Sequence, residues 1–129
     1  MDDTDSKIVY ILKKNGRENF VEIAKGIGIT EGTVRNRVRR LVKAGVIKRF
    51  TIDYEAPVEG LVILKSRLKN NRELIDKLKA FSDNIFEISG EYDIAAIIKA
   101  DSIEELNKKI DMIRVLRGVT DTSTAIKLK

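Results

Sequence analysis

The segment from Thr30 to Gly45 constrains the fold most strongly, because it combines a helix start, a helix stop and an apolar stripe at helical spacing. Thr30 suits an N-cap, where its hydroxyl accepts from amides of the first turn, and Glu31 suits the positive end of the helix dipole. Gly45 suits the left-handed position that ends a helix. The sequence therefore predicts an amphipathic helix over about 31–44. Its expected buried stripe is Val34, Val38, Leu41 and Val42.

The remaining surface of this helix is basic. Seven basic residues and no acidic residue lie between Arg35 and Arg49. Ion pairs between residues four apart within this run therefore cannot be the reason for its charge. The alternative interpretation is a solvated face without a partner. A polyanion relieves the repulsion among like charges and releases its own counterions, which favours nucleic acid. The predicted DNA-binding residues are Gly32, Thr33, Arg35, Asn36, Arg37, Arg39, Arg40, Lys43, Lys48 and Arg49.

Within that set we predict two kinds of contact. Asn36, Arg39 and Arg40 carry donors of the type that read base edges in the major groove. The other five basic residues are predicted to contact phosphate, and the small Gly32 and Thr33 allow close approach to the groove. The expected partner is therefore double-stranded DNA.

Composition limits the remaining possibilities. The net charge is +5; residues 1–50 hold 12 basic and 6 acidic side chains, whereas residues 51–129 hold 13 and 14. The basic function therefore belongs to the N-terminal part. With no Cys and no His, disulfides, the usual zinc sites and His-dependent triads are excluded, and we expect no cofactor. We find no signal peptide and no apolar run near 18 residues, which predicts a cytoplasmic protein without membrane association.

Two helices are predicted before the basic one. Residues 1–16 carry acids in the first turn and an apolar stripe, and Asn19 begins a variant capping box for a second helix. Gly28 turns the chain, and Gly26 lowers helix propensity, so we expect the second helix to end early. Three helices with so tight a turn predict a helix-turn-helix domain over residues 1–50, whose third helix enters the major groove.

The second half of the chain has the pattern of an α+β domain. Alternation over Ile47–Glu55 predicts a strand, Pro57 ends it, and residues 51–58 are expected to form a linker strand and hinge. Residues 59–129 follow the order βαββαβ, which predicts a ferredoxin-like fold with an antiparallel four-stranded sheet and two helices on one face. The expected strands are Gly60–Leu68, Ile85–Ser89, Asp93–Ala100 and Val119–Leu128, and the expected helices are Asn71–Phe81 and Ser102–Leu116.

The two central strands, LVILKSRL and IAAIIKA, are nearly continuous apolar runs. A sheet covered on one face should instead alternate apolar and polar residues. One interpretation is a single-chain core with some part-exposed side chains. The other, which we favour, is a second copy that covers the open face and makes a sheet-to-sheet homodimer.

The whole chain resembles the Lrp/AsnC (leucine-responsive, feast/famine) family of transcriptional regulators. The similarity lies in the helix-turn-helix pattern of Asp2–Arg17 and Thr30–Ile52, the Gly-x-Tyr-Asp pattern at Gly90–Asp93, and the entry to the last strand at Gly118–Thr124. Where the family has Pro-Gly-Val before its second strand, this chain has Ser-Asp-Asn-Ile at Ser82–Ile85. The resemblance implies an archaeal-type regulator that forms a homodimer, assembles further up to an octamer, and binds a palindromic operator.

The resemblance also implies that a free amino acid binds at the junction between dimers, in the loop at Gly90. Gly90 permits the turn, Tyr92 offers an amphipathic wall, and Asp93 offers a carboxylate to a ligand ammonium. The alternative from the residues alone is a hairpin turn without a ligand. Lysine is the effector we expect, because Glu91 and Asp121 add negative charge. The predicted effector-binding residues are Gly90, Glu91, Tyr92, Asp93, Thr120, Thr122 and Ser123.

These features favour a DNA-binding transcriptional regulator of amino-acid metabolism. A stand-alone amino-acid sensor is the second possibility, which the basic helix argues against. An enzyme on the ferredoxin-like fold is the third, because a fold alone does not define function. No phosphate loop, paired carboxylates or nucleophile motif stands out in the sequence, so we predict that the chain is not an enzyme.

Overall fold

The computed structural model describes residues 1–129 and divides into two compact units, Met1–Tyr54 and Glu55–Lys129. The division falls within the expected linker of residues 51–58. Each unit has its own cluster of buried apolar side chains. None of the helices is both long enough and apolar enough to cross a membrane.

The first unit contains three helices, α1 (Asp3–Lys14), α2 (Phe20–Ile27) and α3 (Glu31–Lys43). Each begins at a side chain that accepts a hydrogen bond from a first-turn amide. The capping residues are Asp2, Asn19 and Thr30. The three helices bury a common core, so the predicted helix-turn-helix is confirmed. Its buried side chains are Ile8, Ile23, Ala24, Val34 and Val38.

The turn between α2 and α3 depends on Gly28, whose φ of 87° is left-handed and whose amide donates to the Ala24 carbonyl at 2.8 Å. The expectation that Gly26 would end α2 early is wrong, because α2 continues to Ile27. The cost of one helical glycine is about 1 kcal/mol, and burial of the apolar side chains on α2 offsets it. Val42 also departs from expectation. It is 44% exposed, because it lies at the edge of the buried stripe of α3.

The expected strand over Ile47–Glu55 is wrong, because residues 48–56 have no regular secondary structure. A strand exists only where a neighbouring strand completes its hydrogen bonds, and no strand of this chain pairs with this segment. Its alternating large apolar side chains are therefore exposed. Phe50, Ile52 and Tyr54 are more than half exposed.

The second unit has the predicted βαββαβ order and confirms the α+β class. The ends of its helices and strands differ from the predicted ends by at most three residues. The strands form one antiparallel sheet in the order β2-β3-β1-β4, which is the ferredoxin-like arrangement. The elements are β1 (Val58–Ser66), α4 (Arg72–Leu78), β2 (Asn84–Glu87), β3 (Ile94–Ala100), α5 (Ile103–Arg114) and β4 (Val119–Ile126).

The two helices cover one face of this sheet. Leu106 and Ile110 of α5 are buried against Val62 and Ile98 of the central strands. Gly60 allows the close approach of α5, because a Cβ at Gly60 would lie 3.1 Å from a methyl carbon of Leu106. The other face of the sheet is left uncovered by any element of this unit. It presents Leu61, Ile63, Phe86, Ile97 and Ala125, with Leu61 43% and Phe86 46% exposed.

The segment at Ser82, where the chain departs from the family pattern, is held by a buried hydroxyl. The Ser82 hydroxyl donates to the Ile97 carbonyl of β3 and accepts from the Asn84 amide at 3.0 Å. Ser82 is 8% exposed, and its partners lie at the start of the β2–β3 ladder. The polar residue therefore fixes how β2 enters the sheet without the proline and glycine of the family pattern.

Candidate DNA-binding surface and effector loop

The exposed side of α3 carries most of the predicted DNA-binding residues. At 100° per residue, Asn36, Arg39 and Lys43 lie opposite the buried Val34 and Leu41. We call the exposed polar residues of α3 the basic face. It consists of Arg35, Asn36, Arg39, Arg40 and Lys43, with the exposed Gly32 at its N-terminal end. Thr33 is half-buried, and its hydroxyl hydrogen-bonds the Thr30 hydroxyl at 2.8 Å.

One of these arginines forms an ion pair within the helix. Arg35 contacts Glu31 four residues earlier, and its side chain is 50% exposed. Glu31 lies just before the acid-free run of residues 35–49, so this pair uses an acid outside that run and leaves its other basic residues without an acidic neighbour on the helix. The pair is an i,i+4 pair at the surface, worth about 0.3–0.5 kcal/mol, and a phosphate can compete for it.

Arg37 is arranged differently from the rest of the predicted set. Its Nη1 donates to both carboxylate oxygens of Asp2, at 2.8 and 2.6 Å, and to Asp5 at 3.1 Å. The Arg37 side chain is only 21% exposed, and its Nε is buried. These bonds lower the pKa of Asp2 from 3.8 to about 2, chiefly through the hydrogen bond from Arg37, and they raise the pKa of Arg37.

The lowered pKa of Asp2 gives stability a defined pH dependence. Because the folded pKa of about 2 lies below the ordinary value of 3.8, the ionised Asp2 stabilises the fold above pH 3.8. This contribution is lost as the pH falls from about 4 through about 2. We expect the difference in unfolding free energy between the wild type and Asp2→Asn to be full at pH 5 and to shrink over that range. Urea unfolding at stepped pH measures it, and a pH-independent difference would contradict the ion pair.

Lys48 and Arg49 follow the end of α3. Gly45 has a φ of 76°, and the amides of Val46 and Ile47 both donate to the Leu41 carbonyl, at 3.0 and 3.1 Å. This closed turn packs Ile47 against the core of the first unit. The two exposed basic residues therefore emerge directly beside the last turn of α3.

The Gly90 loop between β2 and β3 is fixed to the end of β1. Gly90 has a φ of 118°, which requires glycine, and the Ile88 amide donates to the Asp93 carbonyl at 3.0 Å. The Asp93 amide donates to the Leu64 carbonyl at 2.8 Å, and the Asp93 carboxylate accepts from the Ser66 amide at 2.7 Å. Asp93 thus completes the hydrogen bonds of β1 as well as presenting a carboxylate.

Lys65 lies beside this loop, and the sequence did not predict it as a site residue. Its ammonium lies 3.5 Å from the Glu91 carboxylate and 5.3 Å from the centre of the Tyr92 ring. In the sheet register, Lys65 also faces Asp121 of β4. Its position inside the apolar run LVILKSRL was the available signal, because a charge there interrupts an otherwise buried strand. We call Lys65, Glu91, Tyr92 and Asp93 the loop cluster.

The threonines and serine of β4 do not form one group. The Thr120 hydroxyl donates to the Lys65 carbonyl at 3.3 Å, which places it beside the loop cluster. The Thr122 hydroxyl accepts from Arg114 at 3.0 Å, and both line an open cavity of about 280 Å³ with Thr120. Ser123 pairs with Ile63 across the strands and therefore points to the uncovered face. The structure brings Thr120 to the loop cluster and separates Ser123 from Thr122.

A capped, basic third helix on a three-helix core, followed by a ferredoxin-like domain, defines a helix-turn-helix DNA-binding protein of two units. A family model for winged helix-turn-helix DNA-binding domains matches residues 1–48. The transcriptional regulator LysM of Sulfurisphaera tokodaii is 39% identical over 134 residues, covering 100% of this chain and 96% of LysM. The chain belongs to the Lrp/AsnC family of transcriptional regulators and is of the archaeal type.

Solved structures show the same fold over the whole chain. Escherichia coli AsnC is 25% identical with a TM-score of 0.73, and the match covers 100% of this chain and 93% of AsnC. A transcriptional regulator from Neisseria meningitidis, solved as an L-Met complex, is 20% identical with a TM-score of 0.78. That match covers 100% of this chain and 90% of the Neisseria chain.

Proposed function

We propose that this transcriptional regulator controls genes of amino-acid metabolism. A free amino acid, bound where its subunits meet, changes its affinity for a palindromic operator. The observation that carries the proposal is the pairing of a basic face on α3 with a separate domain that holds a cluster of opposite charges. One unit then supplies the DNA contact and the other supplies the signal.

The basic face supports major-groove binding by its size and its donors. An α-helix with its side chains is about 10–12 Å across, which fits the major groove, about 12 Å wide. Asn36, Arg39 and Arg40 read base edges in this arrangement. Four flanking residues contact phosphate and fix the position of the helix along the duplex. They are Arg35, Lys43, Lys48 and Arg49.

The loop cluster supports a free amino acid as effector because it offers both charges. A zwitterion needs a negative partner for its ammonium and a positive partner for its carboxylate. Asp93 and Glu91 supply the first, and Lys65 supplies the second. The Neisseria regulator solved with L-Met shares this fold, which agrees with an amino-acid site. For lysine, Asp121 adds a carboxylate for the side-chain ammonium.

The uncovered sheet face supports a homodimer. Leu61, Ile63 and Ile97 are adjacent in register on β1 and β3, and Phe86 and Ala125 extend the apolar surface to the outer strands. A contiguous apolar patch of this kind is typical of an interface. A second copy of the sheet covers it with an identical surface about a two-fold axis. Contacts between the loop clusters of such dimers then build the larger assembly, up to an octamer.

The oligomer and the operator are tested together. We expect sedimentation at micromolar concentration to show dimers or larger species, and DNA selected from random sequence to contain two half-sites about 10 base pairs apart or a multiple of that. Leu61→Lys places a charge on the sheet face and should shift the distribution toward monomer. Val115→Lys, at a position that is 83% exposed beyond α5, is the matched control. A concentration-independent monomer, or wild-type assembly in Leu61→Lys, would contradict the proposal.

A further inference from the structure

Arg37 lies on the recognition helix but outside the surface that meets DNA in the proposed function. It directly follows Asn36 on α3 and precedes the buried Val38, so it projects about 60° from the centre of the apolar stripe. Its guanidinium is turned toward the start of α1, where Asp2 and Asp5 bind it. Arg39 and Arg40, by contrast, are exposed.

The two acids that bind Arg37 are themselves fixed. The Asp2 carboxylate caps α1 by accepting from the Asp5 amide at 2.8 Å, and the Asp5 carboxylate accepts from the Asp2 amide at 3.3 Å. The side chain of Asp5 is 16% exposed. Both carboxylates sit at the positive end of the α1 dipole, and the guanidinium between them offsets their mutual repulsion. The contact therefore joins the first turn of α1 to the middle of α3.

We propose that Arg37 is a positioning residue: it ties α3 to the capped start of α1 and so sets the orientation in which the basic face meets DNA. It does not contact phosphate. Turning Arg37 toward DNA would break its hydrogen bonds to both carboxylates and would leave the largely buried Asp5 side chain without its cation, although the Asp2 side chain is 58% exposed. This inference rests on the proposed role of α3 as the recognition helix.

The direction in which Asp2→Asn changes DNA affinity distinguishes a positioning role from simple electrostatics. Asp2→Asn removes a negative charge from a protein that binds a polyanion, so electrostatics alone predicts tighter DNA binding. Loss of the Arg37 contact predicts weaker operator binding. Asp3→Asn is the matched control, because Asp3 lies in the same turn of α1, pairs with Lys7 at 3.3 Å and is 85% exposed.

The test uses the full chain, a duplex selected from random sequence by the wild type, and a scrambled duplex, over a series of salt concentrations. The variants are Asp2→Asn, Arg37→Gln, their double variant, Asp3→Asn and Arg39→Ala, each checked for folding by thermal melting. Arg37→Lys replaces Arg37→Gln if the latter does not fold. We expect Asp2→Asn and Arg37→Gln each to weaken binding of the selected duplex about tenfold, with an unchanged salt slope and little effect on the scrambled duplex. The double variant should be no weaker than either single variant.

Three outcomes would overturn the inference. A salt slope reduced by about one in Arg37→Gln, with equal loss on both duplexes, would make Arg37 a phosphate contact. Tighter binding in Asp2→Asn, equal to that of Asp3→Asn, would remove the positioning role. A lower melting temperature with unchanged operator binding would leave only a structural role. Wild-type binding in Arg39→Ala would instead refute the proposed recognition helix, so the two failures are distinguishable.

Discussion

Replacing Arg39 by alanine is expected to weaken operator binding by about 1–3 kcal/mol and to relax sequence preference at one position of each half-site. Arg39 is exposed on α3, opposite the buried stripe, where a guanidinium can donate two hydrogen bonds to a guanine edge. Losing such a contact affects the correct sequence and leaves the phosphate contacts in place. The ratio of operator to non-specific affinity should therefore fall, while the salt slope stays near the wild-type value.

Two further variants make the result specific. Lys43→Ala, one turn further along the basic face, should weaken binding to every sequence and reduce the salt slope by about one. Lys108→Ala removes the same charge from the exposed side of α5 in the second unit and should leave operator binding unchanged. Fluorescence titration of operator and scrambled duplexes measures all three. Equal loss on both duplexes for Arg39→Ala would show that Arg39 contacts phosphate rather than a base.

The helix-turn-helix was predictable because its signals are local. Each helix begins with a side chain that caps its own first turn, and Gly28 and Gly45 take the left-handed conformations that their positions required. The order of the second unit was predictable for a related reason, since apolar runs and helical periodicity alternate clearly along the chain. Only the ends of the elements shifted, because helix and strand ends fray.

The partner of Arg37 was not predictable from local pattern. The guanidinium and the Asp2 carboxylate are 35 residues apart, and only the packing of α1 against α3 brings them together. A count of charges between Arg35 and Arg49 treats Arg37 like its neighbours. The structure shows instead that its angular position, beside the buried stripe, turns it away from the basic face.

The prediction of a strand over Ile47–Glu55 was wrong for a different reason. Alternating apolar and polar residues are compatible with a strand, but a strand forms only where a partner strand supplies the hydrogen bonds. In the second unit, β1 and β3 find such partners in each other. The contacts of Lys65 were likewise not predicted, because they depend on Glu91 and Tyr92 of the β2–β3 loop, which only the folded sheet brings next to β1.

The second large effect is expected at Asp93, through coupling between effector and operator. An amino acid that favours one arrangement of the subunits by about 1–3 kcal/mol changes operator affinity roughly 5- to 150-fold. Asp93→Asn removes the negative charge proposed for the ligand ammonium. The asparagine side-chain oxygen can still accept from the Ser66 amide, which Asp93 does at 2.7 Å, so the end of β1 keeps its hydrogen bond. Asp93→Ala would lose both the charge and the hydrogen bond to the Ser66 amide, so a loss of ligand binding could not be separated from a change at the end of β1.

Calorimetry with each of the twenty amino acids, paired with operator titration, decides the assignment. We expect the wild type to bind at least one amino acid and to change its operator affinity, and Asp93→Asn to lose both responses while its operator affinity without effector matches the wild type. Glu87→Gln makes the same charge change at an exposed position on β2 and should keep both responses. An unaltered response in Asp93→Asn would move the site away from the loop cluster. No heat with any amino acid would leave a DNA-binding regulator whose second unit serves assembly alone.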